Sequence, residues 1–364
     1  GADPNIADNT NYTPLMNAVS GQHENIVKIL LKFKADPNVQ SGENPQDDDW
    51  EPGRSALMDA AVSGNMDIAR ELLKAGADPN LVNSNGRTAL HSAVISANAD
   101  MVALLLKSGA NPDVFGNDEK KMSALDLALV RWASEDADSR EGSISDVLEL
   151  MLKKALPKDR SSLTETTLSL LTNGHEEAID LLQSRKISID VDEQSLGATR
   201  LFMQAGLGDL GLDAAKALLK YGANPSFKSK AGLPVISMAV RQGGNRLVEA
   251  LLDAGADVMA RNSVGVLAYD LAAIYGRHES ALRLIDAMNR KALEINVQDS
   301  DGQTALMRAV KSADLMAVKQ LLSAGAATDR RDLQGETPLS YAVTDDLFQI
   351  ALALREAGAE TISS

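Results

Sequence analysis

Cysteine is absent from the 364-residue sequence, and aromatic residues make up only 3% of it. The lack of cysteine excludes disulfide bonds, thiolate metal sites and a cysteine nucleophile. It leaves the redox compartment open, because a chain without thiols is indifferent to oxidation. The lack of bulky rings favours short helices that pack closely over one another, since small side chains let helices approach.

Long apolar runs and basic clusters are also missing. No run approaches the ~20 residues that a bilayer-spanning helix needs, so we expect no membrane insertion. The formal net charge is −15, from 51 acidic and 36 basic residues, and no lysine- or arginine-rich cluster contains interleaved aromatics. This charge balance predicts no nucleic-acid binding and favours a basic partner through electrostatic steering. An alternative is that the acidic excess only keeps a long surface soluble.

An internal period of 33 residues organises the chain. The pentapeptide Gly-Ala-Asp-Pro-Asn recurs in close variants that begin at Gly1, Lys34, Gly76, Gly109 and Gly222, and weaker variants end at Met259, Asp329 and Ile362. Four of the seven successive spacings equal 33 residues, and the other three are multiples of 33 plus an insertion. A fixed period of this length is typical of repeat architectures. The spacings predict about ten repeats with three insertions.

Each period predicts two helices and a turn. The first helix opens with Thr or Ser, then Pro or Ala, then Leu, as in Thr13-Pro14-Leu15; the hydroxyl can accept from a free amide of the first turn, and proline is tolerated there. The second helix carries apolar pairs four residues apart, as in Ile68-Ala69 and Leu72-Leu73, which form one buried face. The glycine of the pentapeptide ends this helix, and the proline prevents it from resuming.

The period, the Thr-Pro-Leu opening, the Leu-Leu pair and the pentapeptide ending resemble the ankyrin repeat across essentially the whole chain. The resemblance implies an all-α solenoid of paired antiparallel helices with finger turns, as a single array over residues 1–364. We place insertions near 41–53, 132–143 and 289–295, and the pattern degenerates over about 114–221. Residue 1 falls inside a repeat, so we expect a truncated N-terminus. We expect a soluble protein and favour the cytoplasm, with a signal peptide left open.

The resemblance also gives the four histidines structural positions. His91 occupies the place where ankyrin repeats carry a histidine that hydrogen-bonds toward the next turn, and His23, His175 and His278 follow first helices. None has another His or Cys at metal-ligand spacing. The segment Gly206–Gly211 matches G-x-G-x-x-G, but no strand precedes it, so a phosphate-binding role fails its context. We therefore predict no enzyme activity, no cofactor and no metal.

Ankyrin proteins bind partners in a concave groove formed by the finger turns and the first helices, and contact positions fall at the ends of the first helices. Val62 occupies this position in repeat two. Carried over in the same way, and with two tryptophans added, the candidate partner-binding residues are Trp50, Ile95, Val130, Arg131, Trp132, Arg241, Gln242, Ile274, Tyr275 and Lys311. The apolar clusters around Val130 and Ile274 indicate a partner surface if they are exposed, with packing inside the array as the alternative. For Trp50 the alternative is that it pins its own loop.

The sequence therefore predicts a monomeric protein–protein interaction module that binds another protein, with a basic partner favoured. One alternative is an inhibitor or immunity-type protein that blocks an enzyme or toxin with an acidic face, a reading favoured by Asp47, Asp48 and Asp49. A second alternative is a targeting or scaffold segment of a larger protein whose catalytic part lies elsewhere.

Overall fold

The computed structural model describes residues 2–44, 51–117, 121–135, 143–157, 160–195, 198–290, 295–299 and 301–360. Within these ranges the chain forms twenty α-helices and one two-stranded antiparallel hairpin. The helices follow one another in pairs of one first and one second helix. This arrangement confirms the all-α fold class that the repeat pattern predicts.

The helix bounds are as follows. The first five pairs are α1 (Pro14–Ser20) with α2 (Glu24–Lys32), α3 (Ala56–Ser63) with α4 (Met66–Lys74), α5 (Ala89–Ile95) with α6 (Ala99–Lys107), α7 (Ala124–Ser134) with α8 (Ser143–Lys154), and α9 (Ser161–Thr172) with α10 (Glu176–Ser184). The next five are α11 (Arg200–Ala205) with α12 (Leu212–Lys220), α13 (Val235–Arg241) with α14 (Asn245–Asp253), α15 (Ala268–Ile274) with α16 (His278–Arg290), α17 (Ala305–Lys311) with α18 (Leu315–Ser323), and α19 (Pro338–Thr344) with α20 (Phe348–Glu356). The hairpin of β1 (Gln194–Ser195) and β2 (Ala198–Thr199) precedes α11, and a 3-10 helix spans Gly208–Gly211.

The chain divides into two compact units. The first consists of Gly1–Leu170 and Glu177–Ile187, and the second of Leu171–Glu176 and Ser188–Ser364. Within each unit a first helix packs against its own second helix and against the next first helix: α3 contacts α4 and α5 in the first unit, and α17 contacts α18 and α19 in the second. A single array over residues 1–364 stays a prediction.

Hydroxyl side chains begin several of the first helices. The Thr13 hydroxyl accepts a hydrogen bond from the Met16 amide at 3.2 Å, and Thr337 forms a reciprocal capping box with Ser340. Proline occupies the first turn of both α1 and α19, where an amide would have no helical partner. The Thr-Pro-Leu sequence therefore determines where a first helix starts.

The asparagine that ends the pentapeptide links successive repeats in the first unit. Asn80 Nδ2 donates to the Gly109 carbonyl at 3.1 Å, and Asn80 Oδ1 accepts from the Asn111 amide at 2.7 Å. Asn38 makes the equivalent two bonds one repeat earlier. Gly109 has a φ of +89°, in the left-handed region that ends a helix. Because these bonds satisfy backbone groups freed at the helix end, the pentapeptide ends its own helix and also positions the next turn.

The glycine-rich segment Gly206–Gly211 is a packing element. A Cβ atom on the buried Gly208 would lie 3.2 Å from the Gln242 carbonyl oxygen, so the two turns approach closely. Asp209 Oδ1 accepts from the Leu247 amide at 3.0 Å and so satisfies a free donor in the first turn of α14. The segment joins its repeat to the following one.

The predicted insertions correspond to lengthened elements where they are described. α16 has 13 residues and ends within the third insertion, whereas α14 has nine. α7 has 11 residues and runs into the second insertion, whereas α5 has seven. Residues 45–50 of the first insertion and 136–142 of the second lie outside the described residues.

Candidate protein-binding surface

A groove of about 260 Å³ lies in the first unit, between α3, α5 and the finger turns, which are the connections that precede first helices. It is lined by Glu51, Arg54, Met58, Val62, Asn83, Arg87, Ser92 and Ile95. The helices supply the apolar lining, and the finger turns supply the charged and amide side chains. Val62 and Ile95 are exposed. The groove therefore combines an open apolar floor with a polar wall, and it contains Ile95, one of the residues predicted for partner binding.

The wall of this groove includes a buried carboxylate with partners from two repeats. Arg54 Nε donates to Asp59 Oδ1 at 2.8 Å, and the Tyr12 hydroxyl donates to Asp59 Oδ2 at 3.0 Å. Burial raises the pKa of Asp59, although Arg54 opposes the shift. Burial together with the Asp59 charge raises the pKa of Tyr12 to about 12. Tyr12 therefore stays a hydrogen-bond donor at neutral pH, and the Arg54 guanidinium is held in a fixed orientation.

A second carboxylate joins successive finger turns. Glu51 accepts hydrogen bonds from Asn83 Nδ2 at 3.1 Å and Asn85 Nδ2 at 2.9 Å, and it lies 3.8 Å from the Arg87 guanidinium. These contacts hold the polar wall in place before any partner arrives. A preformed wall reduces the entropy lost on binding.

Val130, Arg131 and Trp132 are less available than the sequence predicts. Arg131 Nη1 donates to the carbonyl oxygens of Val94, at 3.3 Å, and Ile95. These carbonyls lie at the end of α5 and lack helical partners, which explains why the long side chain is drawn to them. Val130 and Trp132 are half-buried. The open apolar cluster expected at this position is therefore partly covered within the array.

Ile274 and Tyr275, at the end of α15 in the second unit, are both exposed. Neighbouring exposed apolar side chains on a polar surface are typical of interaction sites. Trp50 and the aspartates Asp47, Asp48 and Asp49 lie outside the described residues, so their proposed roles stay predictions.

The polar candidates of the second unit are also at the surface. Arg241 and Gln242, at the end of α13, and Lys311, at the end of α17, are exposed. Lys311 Nζ lies 4.8 Å from the centre of the Tyr341 ring, within range of a cation–π interaction. This contact orients the lysine across two successive repeats.

An acidic cluster around one arginine was missed by the sequence interpretation. Arg308 Nε donates to Asp299 Oδ2 at 2.9 Å, and the Arg308 guanidinium lies 3.7 Å from Asp270 and 3.6 Å from Asp301. Burial raises the pKa of Asp270 to about 6, although the hydrogen bond from the Leu267 amide and the charge of Arg308 lower it. One guanidinium therefore faces three carboxyl groups, and the cluster is acidic at neutral pH.

Tyr341 adds a further fixed polar contact next to this cluster. Its hydroxyl donates to Asp332 Oδ2, which belongs to the finger turn before α19. Burial raises the pKa of Tyr341 to about 12. Asp332 also accepts from the amides of Gln334 and Glu336, so the finger turn and the first helix that follows it are joined.

The histidines lie in structural contacts. His91 Nδ1 lies 3.2 Å from the Thr88 amide nitrogen and 3.0 Å from the Thr88 hydroxyl, so it bonds back to the start of its own helix and not toward the next turn as expected. His278 Nδ1 lies 2.5 Å from Asp314 Oδ2 in the next repeat. Across the described ranges, no group of three or more His, Asp or Glu side chains has the arrangement of a metal site. Among the same residues, no helix combines the length and apolar content that a bilayer crossing requires.

Comparison with known proteins identifies this architecture. A family model described as ankyrin repeats matches three times, over residues 1–83, 42–116 and 271–363, which together cover more than half of the chain. The ankyrin repeat and KH domain-containing protein mask-1 of Caenorhabditis elegans is 25% identical over 96% of this chain and 15% of its own length.

Two further relatives match shorter parts of the chain. A transient receptor potential cation channel subfamily A member 1 homolog of C. elegans is 30% identical over 51% of this chain and 15% of its own length. An ankyrin repeat-containing protein of Treponema pallidum (strain Nichols) is 55% identical over 37% of this chain and 44% of its own length. The chain therefore spans less than half of each relative. The repeat motifs, the paired helices and the family matches agree: this chain belongs to the ankyrin-repeat family.

Proposed function

We propose that this chain holds a protein partner on the surface formed by its finger turns and first helices, and that the partner is basic. Ankyrin repeats are protein–protein interaction modules and are generally not enzymatic. The observation that carries the proposal is the groove in which exposed Val62 and Ile95 lie beside a hydrogen-bonded polar wall. Open apolar side chains gain from desolvation, and fixed polar groups around them supply specificity.

The preference for a basic partner rests on charge. The chain carries a formal net charge of −15, and the Arg308 cluster places three carboxyl groups around a single guanidinium on the first-helix side of the second unit. A negative field speeds encounter with a positive surface. Affinity then depends on desolvated anchors, for which Ile95, Ile274 and Tyr275 are the exposed candidates.

Tyr275→Ala is expected to weaken partner binding by about 2 kcal/mol, roughly 30-fold, if the ring is buried by the partner as an anchor. The fold should be unchanged, because the side chain is exposed. The partner is first identified by pull-down and mass spectrometry, and the dissociation constants are then compared by calorimetry. Leu210→Ala is the matched control, since Leu210 is exposed but lies in the 3-10 helix, away from the finger turns. Equal affinities of Tyr275→Ala and the control would remove Tyr275 from the surface.

The association rate constant is expected to fall at least about tenfold as ionic strength rises from about 0.02 M to about 0.5 M. The dissociation rate constant should change much less, because short-range contacts determine it. Stopped-flow mixing of the chain with the identified partner measures both. An association rate that is flat across this range would contradict a basic partner steered by the acidic surface.

A further inference from the structure

The outward side of the first helix pair carries exposed apolar side chains. We call Ile26, Ile29 and Phe33, on and just after α2, the leading face; all three are exposed. Ile26 is 47% exposed, whereas Ile68, at the same register in α4, is 1% exposed. The reason is that α4 packs between α2 and α6, while α2 has a second-helix neighbour on one side only among the described residues. The leading face is therefore a repeat-stacking surface without its cover.

The last helix pair shows the same feature on its opposite side. We call Val343 of α19 with Phe348 and Leu352 of α20 the trailing face, and all three are exposed. Val343 is 63% exposed, whereas Val310, at the same register in α17, is 0% exposed. In both helices this valine follows the capping threonine by six residues, and α17 has a following repeat to cover it.

The stacked helices inside the protein show which residues meet between successive repeats. Arg283 of α16 pairs with Glu249 of α14 at 2.6 Å. Each second helix has a buried leucine one period from the next, Leu251 in α14 and Leu284 in α16. Relative to it, the contact joins the residue two before the leucine in one repeat to the residue one before the leucine in the next.

The same register applied to the two faces gives an apolar pair. The equivalent leucines are Leu354 in α20 and Leu30 in α2, each of which accepts a backbone hydrogen bond from the residue five positions later, as Leu251 does. The residue two before Leu354 is Leu352, and the residue one before Leu30 is Ile29. An internal ion pair is thus replaced by two exposed aliphatic side chains that would lie opposite each other.

A second internal contact gives a second pair. The Tyr221 hydroxyl donates to Glu176 at 3.4 Å. Tyr221 follows its leucine, Leu218, by three residues, and Glu176 precedes its own, Leu182, by six residues. This contact again joins the start of one second helix to the end of the second helix in the next repeat.

At the two faces this register joins two phenylalanines. Phe33 follows Leu30 by three residues, and Phe348 precedes Leu354 by six. Both rings are exposed. Positions that carry polar partners inside the array therefore carry matching apolar partners on the two faces, which is the pattern expected of surfaces that cover each other.

We propose that two copies of this chain associate end to end, with the trailing face of one copy against the leading face of the other. In this interface Phe348 packs on Phe33 and Leu352 on Ile29, in the register that successive repeats already use. The interface joins two different surfaces, so each copy in a pair keeps one free face. The sequence alone favours a monomer; the exposed faces favour concentration-dependent association.

Complementary variants test this arrangement directly. Phe33→Glu disables the leading face and Phe348→Glu disables the trailing face, and both sites are exposed, so folding should be preserved, as circular dichroism checks. Met316→Glu is the matched control, because Met316 is an exposed apolar residue of α18 outside both faces. Sedimentation equilibrium should show that the unsubstituted chain and the control associate with rising concentration. Each single variant should associate at least tenfold more weakly.

A mixture of the two variants gives the decisive result. Phe33→Glu retains an intact trailing face and Phe348→Glu retains an intact leading face, so the mixture should form one-to-one heterodimers of twice the 38.6 kDa chain mass and nothing larger. The proposal is overturned if the unsubstituted chain stays monomeric at every concentration, if the single variants associate as it does, or if the mixed variants remain monomeric.

Discussion

Replacing Arg308 with alanine is expected to lower the free energy of unfolding by about 3–5 kcal/mol at neutral pH. The Arg308 side chain is only 15% exposed, and the carboxyl groups of Asp270 and Asp299 beside it are almost fully buried. Removing the guanidinium leaves two buried acidic groups without the positive charge that compensates them. The loss of one partner of a buried pair is much more destabilising than the net value of the intact pair.

Denaturant unfolding of the two proteins under identical conditions measures this loss. The matched control is Arg70→Ala, because Arg70 lies on the surface of α4, 3.5 Å from the exposed Asp67, and its removal should change stability by less than about 1 kcal/mol. The midpoint of unfolding should shift for Arg308→Ala without a change in slope. A shift no larger than that of the control would show that the cluster does not depend on Arg308.

The helices and their ends could be predicted from the sequence because local chemistry determines them. Thr13, Pro14 and the pentapeptide glycines act within their own repeat, through a cap, a fixed φ angle and a left-handed turn. The exposure of Ile95 and Tyr275 follows from their position at the end of a first helix. Each of these predictions needs only the place of a residue within one period.

The contacts between repeats could not be predicted, because they depend on how one period is displaced against the next. Tyr12 reaches Asp59 across 47 positions, and neither residue belongs to the recurring motif. Arg131 lies at a predicted contact position, but its side chain is long enough to reach the carbonyl oxygens at the end of α5. The sequence could also not indicate that the asparagine of the pentapeptide bonds to the following turn, since the motif alone suggests only a turn residue.

The pH dependence of stability is expected to contain a contribution from Asp270 of about 3 kcal/mol. Burial raises the pKa of this group from 3.8 to about 6 in the folded chain, and a difference of one pH unit corresponds to about 1.36 kcal/mol. Between these values the folded state holds a proton that the unfolded state has released. The contribution of Asp270 to the free energy of unfolding therefore falls as pH rises from about 4 to about 6, and it is constant above that range.

Asp270→Asn isolates this contribution, because the amide does not titrate and its oxygen can still accept the bond that the Leu267 amide makes to Asp270, at 2.9 Å. Free energies of unfolding are measured by denaturant for both proteins from about pH 4 to about pH 7. The stability of the unsubstituted chain minus that of Asp270→Asn should fall by about 3 kcal/mol between about pH 4 and about pH 6 and then level off. Asp301→Asn is the control, because Asp301 faces the same arginine from an exposed position, and its difference curve should be nearly flat in this window. A flat or rising curve for Asp270→Asn would mean that Arg308 compensates the buried carboxylate fully, so that burial does not determine its protonation.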